Sequence, residues 1–143
     1  MRLRYALVRE GARVPTRAHA GDAGLDLYAA EAAEVPPGGR TSVPTGVALA
    51  LEEGQAGLLL PRSGLAARNG VTLANAPGLI DSGYRGEVRV LLLNTDATTP
   101  FPVASGDRIA QLLLVRHEEP LLEESEDLGA TARGAGGFGS TGP

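Results

Sequence analysis

Arg108-Ile109-Ala110-Gln111-Leu112-Leu113-Leu114-Val115-Arg116 decides the architecture. The stretch is entered from the turn Ser105-Gly106-Asp107 and is apolar along nearly its whole length, which reads as a buried strand with Asp107 at its mouth. Gln111 is the exception inside it. A buried amide left unpaired costs about 1–3 kcal/mol, so Gln111 needs a partner, and a neighbouring strand can supply one in a purely structural role. Outward from this stretch, residues 2–8, 24–30, 47–51, 57–60 and 87–93 repeat the pattern of short alternating or wholly apolar runs. Turn signals separate them: Pro36-Pro37-Gly38-Gly39, Glu53-Gly54, Asn69-Gly70 and Ala76-Pro77-Gly78. That spacing predicts an all-β sandwich or barrel. In residues 2–8, Leu3, Tyr5 and Leu7 alternate with Arg2 and Arg4, which predicts a strand with one wet face. Helical pattern is confined to residues 63–69, with Ser63 as the expected N-cap.

A chain of 143 residues with 43% hydrophobic side chains suits one domain with one core, built from aliphatic residues because aromatics make up only 3%. Cysteine is absent, which removes disulfides, thiolate metal sites and cysteine nucleophiles. All 13 basic residues are arginine, so a lysine-dependent P-loop and Schiff-base chemistry are excluded as well. A net charge of −4 argues against sequence-independent binding to DNA or RNA. The N-terminal residues show no long apolar run, so neither a signal peptide nor a membrane span is expected, and a cytoplasmic location is. After an acidic stretch at 118–127 the chain becomes glycine-rich. Residues 1–128 are therefore read as the domain, and 129–143 either as a disordered end or as an arm that orders on a ligand, carrying Arg133 and Phe138.

Four internal segments concentrate polar chemistry. Pro61-Arg62-Ser63-Gly64 opens the one helical stretch, where free N–H groups, a hydroxyl and a guanidinium can make an anion site; taken alone, the segment reads better as a capped turn with a surface arginine. In the segment of residues 75–87, Asp81 follows the apolar pair Leu79-Ile80 and is expected at a partly buried rim. A carboxylate there can act as a base toward water, or it can merely close an Asx-type turn. Tyr84 offers a flat face three residues on. Asp26 lies inside an apolar strand and is either a paired structural carboxylate or part of a metal's water shell. Gln111 belongs to the fourth segment. His19 and His117 lack ligand spacing.

In order along the chain, AGLDLY (23–28), PRSGLA (61–66), NAPGLIDSGYRGE (75–87), GDRIAQL (106–112) and RGAGGFGSTG (133–142) resemble the five motifs of the trimeric dUTPase family. The resemblance implies a distorted jelly-roll β-barrel with one short helix and a flexible C-terminal arm, assembled as a homotrimer with active sites at subunit contacts. It implies a Mg²⁺-assisted hydrolysis of dUTP to dUMP and pyrophosphate, which keeps uracil out of DNA and supplies dUMP for thymidylate synthesis. By position, Asp81 would activate the water that attacks the α-phosphorus and contact the 3′-hydroxyl. Tyr84 would pack on the sugar. Asn75 with the backbone of Leu79 and Ile80 would read the uracil edge, with Arg89 contributing through its backbone. Arg62, Ser63, Gly64 and Gln111 would hold the phosphates, and Asp26 would reach the metal through water. Arg133 would clamp the γ-phosphate, Phe138 would close over the base, and Gly139 and Ser140 would add contacts.

Two rivals separate from this one by chemistry. The dCTP deaminase branch resembles the same fold and shares the Arg-Ser segment, but needs a glutamate as proton shuttle at the base's amino group. A non-catalytic trimeric β-scaffold predicts that Asp81 is dispensable.

Overall fold

The computed structural model describes residues 2–137. Ten strands and one short helix follow one another as β1 (Arg4–Leu7), β2 (Leu25–Tyr28), β3 (Ala33–Val35), β4 (Arg40–Ala50), β5 (Gln55–Leu60), α1 (Ser63–Asn69), β6 (Val71–Leu73), β7 (Gly78–Ile80), β8 (Glu87–Asn94), β9 (Phe101–Val103) and β10 (Arg108–Arg116). They pair into an open sheet β1-β4-β8-β6, a second open sheet β2-β10-β5-β7, and a ribbon β3-β9. Every strand pairing is antiparallel.

Strict alternation along β8 shows why these residues form a sheet. Val88, Val90 and Leu92 are buried while Glu87, Arg89, Leu91 and Leu93 point away. Both four-stranded sheets contribute to one aliphatic cluster, Val43, Val47 and Leu49 of β4 meeting Leu27, Leu59, Ile109 and Leu112. Each such side chain contributes about 1.5–3 kcal/mol by leaving water. Asn94 ends β8 inside the core without cost, because its amide donates to the carbonyls of Val35 (3.2 Å) and Thr99 (2.8 Å) and accepts from the Asp96 N–H.

Strand β4 begins at Arg40, well before the predicted residue 47, and runs through Pro44. A bulge makes room for the proline: Pro44 faces Arg89, the next pair is Val47 with Val88, and Thr45 and Gly46 are extra. The Thr45 hydroxyl donates to the Val88 carbonyl at 2.6 Å in place of a ladder bond. Gly46 takes φ 69°, and a Cβ there would collide with the Ala12 side chain.

The expectation for β1 needs correction. All four of its residues are exposed, Tyr5 and Leu7 among them, because β1 is an edge strand paired only with β4 and nothing among the described residues covers either face. Helix α1 is as expected in extent, but its N-cap is Arg62 and not Ser63. Arg62 has extended backbone (φ −92°, ψ 125°), and its carbonyl accepts the first helical bond, from Ala66 at 3.0 Å. Gly70, in the left-handed region, ends the helix.

Candidate active site

The hairpin segment of residues 75–87 contains a short strand, β7, that was not visible in the sequence. Gly78 and Ile80 turn inward and Leu79 outward, with Leu79 64% exposed. Asp81 leaves β7 on the exposed side rather than at a partly buried rim, because the chain is already turning at that point. The turn is closed by backbone: the Tyr84 N–H donates to the Asp81 carbonyl at 3.1 Å. Its carboxylate is therefore not the element that closes the turn, as an Asx-turn would require. Arg85 braces the loop, donating to the carbonyls of Ser82 (2.6 Å) and Tyr84 (2.9 Å).

Beside this turn lies a cavity of about 230 Å³ lined by Asn75, Leu79, Ile80, Asp81, Tyr84 and Arg89, with Gly78 and Glu87. Six predicted site residues thus share one concavity. Its wall is pinned from behind. Glu87 accepts from Arg9 Nε at 2.9 Å and Nη2 at 3.1 Å, from Arg89 at 3.3 Å, and from the N–H of Gly46 in the β4 bulge at 2.9 Å. Hydrogen bonding from Arg9 is the main cause that holds the Glu87 carboxyl below its ordinary value, against partial burial, with the Gly46 amide and the charges of Arg9 and Arg89 adding to it. The Arg89 side chain is further occupied by Ser42, at 3.0 Å to both hydroxyl and carbonyl.

The lowered Glu87 value has a measurable consequence. A carboxylate depressed by folding contributes stability above the unfolded pKa of about 4.3, and that contribution is lost as pH falls through the folded value. Glu87→Gln is expected to lower Tm by about 2–4 °C at pH 7, with the difference shrinking as pH falls below about 4.3 toward the lowered folded value. Thermal melts across that window check it; an offset independent of pH would mean that Glu87 acts by packing alone.

A second cluster surrounds Asp26, which is 5% exposed. Arg62 Nε donates to one carboxylate oxygen and Arg108 Nη1 to the other, both at 3.2 Å. Two guanidinium groups against one carboxylate leave the cluster net positive, as an anion site requires. Gln111 stands opposite Asp26 in the β2–β10 register and is half-buried, so it escapes the cost of a fully buried amide. It lines a cavity of about 320 Å³ with Asp22, Gly24 and Asp26. Ser63 and Gly64 follow Arg62 in the first turn of α1, Ser63 exposed and Gly64 close over the Arg68 guanidinium. Arg108 belongs to this cluster and was not anticipated, since 82 residues separate it from Asp26 and only strand register brings them together.

The two clusters sit apart within one chain. Ile80 pairs with Gly57, in the first half of β5. Arg62 lies five residues beyond Gly57, on the order of 16 Å at about 3.3 Å per residue. Arg133 is exposed, and its Nε donates to the Gly136 carbonyl at 2.8 Å in a local turn. Phe138, Gly139 and Ser140 lie outside the described residues. Among the described residues, no group of three or more His, Cys, Asp or Glu side chains is placed to hold a metal ion.

The dUTPase family model matches residues 10–142. A deoxyuridine 5'-triphosphate nucleotidohydrolase from Thermobifida fusca is 56% identical over 129 residues, 90% of this chain and 72% of its own. Among solved structures, the Staphylococcus bacteriophage 80alpha dUTPase with dUPNHPP aligns at a TM-score of 0.93 and 29% identity, covering 99% of both chains. A variant of the dUTPase from phage phi11 of S. aureus, solved with attention to the coordination of a structural Mg(II) ion, aligns at 0.84 and 27% identity over 90% of this chain and 99% of its own. The fold, the two clusters and these likenesses agree, and the chain belongs to the dUTPase family.

Proposed function

We propose that the chain hydrolyses dUTP to dUMP and pyrophosphate, with Asp81 as the base. The observation that carries this is the cavity of about 230 Å³ beside Asp81, which falls below the ~300–1,000 Å³ of sites for whole drug-sized ligands. It suits a base and its sugar, with the phosphates left outside. Asn75 and the backbone of Leu79 and Ile80 meet the uracil edge, joined by the backbone of Arg89, whose side chain is engaged elsewhere. Tyr84 packs on the deoxyribose where a 2′-hydroxyl would lie.

In the reaction, Asp81 takes a proton from water and the water oxygen bonds to the α-phosphorus. The bond from that phosphorus to its bridging oxygen breaks, and pyrophosphate leaves. Asp81 also holds the 3′-hydroxyl. Arg62, Gln111 and the Ser63 and Gly64 groups at the start of α1 position the phosphates, and the net positive Asp26 cluster offsets their charge. Arg133 clamps the γ-phosphate while Phe138, Gly139 and Ser140 cover the base, so residues 129–143 act as a closing arm.

Asp26 offers a magnesium ion an indirect place only, because its two arginines leave the cluster net positive and the ion's charge is met by the triphosphate. Both Asp26 oxygens are engaged by arginines, so Asp26 would hold the ion through water, and Mg²⁺ ordinarily keeps several waters and takes its remaining ligands from substrate phosphates. When bound, it neutralises charge on the triphosphate.

A homotrimer with jelly-roll subunits and composite sites is part of the proposal. Its support is the separation of Asp81 from Arg62 along β5 and the uncovered Tyr5 and Leu7 of β1. The expected consequences are removal of uracil precursors from DNA synthesis and supply of dUMP for thymidylate.

A pyrophosphate-release assay across dUTP, dTTP, dCTP and UTP tests the proposal. dUTP is expected to lead in kcat/KM, with dTTP down by about 10–200-fold, the discrimination one methyl group allows in a fitted pocket. Equal turnover of all four, or ammonia release from dCTP, would overturn it.

A further inference from the structure

Tyr84 does not stand alone over the cavity. Its ring folds back across Gly86, and its hydroxyl donates to the Glu87 carbonyl at 2.9 Å. A Cβ at Gly86 would lie 2.5 Å from the Tyr84 hydroxyl oxygen, 2.6 Å from Cζ and 2.9 Å from Cε2. Gly86 is not among the glycines with positive φ, so a side chain there is opposed by the ring and not by the backbone. The tyrosine's anchor is equally definite. Glu87 sits in the β4–β8 ladder opposite Ala48, and its carboxylate is held by Arg9 and by the Gly46 N–H. That carbonyl therefore cannot follow a displaced ring.

We propose that Gly86 and the Glu87 carbonyl together seat Tyr84 as a fixed wall, which makes Gly86 the positioning residue that sets discrimination between deoxyribose and ribose. The inference rests on Tyr84 being the surface that meets the sugar. A methyl group at residue 86 must push the ring by on the order of 1 Å to restore contacts of about 3.5–4.0 Å. A shift of that size breaks the 2.9 Å bond to Glu87. A wall freed in this way yields to a 2′-hydroxyl instead of refusing it. Selectivity is lost before turnover of the deoxynucleotide, because Asp81 and its turn are untouched.

The test compares dUTP and UTP kcat/KM for the full chain and for Gly86→Ala, Tyr84→Phe, Tyr84→Ala and Gly86→Ala/Tyr84→Ala, with thermal melts to verify folding. Gly86→Ala is expected to shrink the dUTP preference at least ten-fold, mainly through a lower UTP KM. Tyr84→Phe, which keeps the ring and loses its anchor, is expected to shrink it several-fold. In the double variant the alanine at 86 is expected to add nothing, as for two residues acting through one wall. Unchanged preference in Gly86→Ala and Tyr84→Phe alongside lost preference in Tyr84→Ala would overturn the seating and leave the sugar gate standing. Unchanged preference in Tyr84→Ala would overturn the gate itself. Should Gly86→Ala fail to fold, Tyr84→Phe decides, and an unchanged preference there overturns the proposal.

Discussion

Asp81→Asn is expected to lower kcat for pyrophosphate release from dUTP by about 10²–10⁴-fold, the range for loss of a positioned general base, while dUTP affinity changes little. The substitution keeps the shape of the side chain and removes its ability to accept a proton from water. Nothing else in the loop depends on the lost charge. The turn is closed by the Tyr84 N–H on the Asp81 carbonyl and braced by Arg85, and both contacts survive the change. Single-turnover kinetics with calorimetric binding separates the two quantities. A variant that still turns over at the original rate would remove Asp81 from the chemistry, whereas one that no longer binds would mean the carboxylate grips the sugar more than it activates water. The same variant probes assembly. If Asp81 and Arg62 meet across a subunit boundary, mixing and reassembling Asp81→Asn with Arg62→Ala returns roughly a quarter of the sites to a full complement. If one chain supplies both, no mixture recovers activity.

How much of this was legible in the sequence depended on the length of each signal. Strand β8 announces itself through apolar alternation and β10 through a long apolar run, each between turns. β3, β6, β7 and β9 hold three residues each, too few for a period of two to show. The first half of β4 was hidden by its polar start and by Pro44, which reads as a breaker until the bulge at Thr45-Gly46 absorbs it. Ser63 looked like a cap because of its residue type, yet the extended backbone that defines a cap falls on Arg62. At the site, the hairpin residues were legible because they are contiguous. The partners that set their electrostatics were not: Arg108 reaches Asp26 across 82 residues and Arg9 reaches Glu87 across 78. Local spacing carries no information about pairs that exist only through sheet register. Asp81 shows the converse, since Leu79-Ile80 suggested a buried rim, but in a strand only every second residue turns inward and Leu79 faces out.

Deletion of residues 129–143 is expected to leave the melting temperature unchanged within about 2 °C while lowering kcat/KM for dUTP by at least about 10²-fold, the scale for loss of one electrostatic donor, here one that meets charge on the leaving pyrophosphate. The first half of that expectation follows from where the segment sits. Residues 129–135 are exposed, and neither they nor Gly136 and Gly137 belong to the core cluster. The hydrogen bonds recorded for residues 125–136 join neighbours in sequence, such as Ser125 with Asp127 and Thr131 with Gly134. The described part of the segment, residues 129–137, has no share in the aliphatic core, so its removal takes no core stability with it. The second half follows from chemistry the remaining chain lacks. Asp81 and the Asp26 cluster are both open to solvent at their cavities, and a reaction at phosphorus is favoured when water other than the nucleophile is excluded and the γ-phosphate charge is met by a fixed cation. Arg133→Ala in the full-length chain isolates the cation from the cover. It is expected to account for most of the lost activity, and Phe138→Ala to act chiefly on KM. A truncated protein with unchanged turnover would show that residues 129–143 are a bystander and that the site closes by other means.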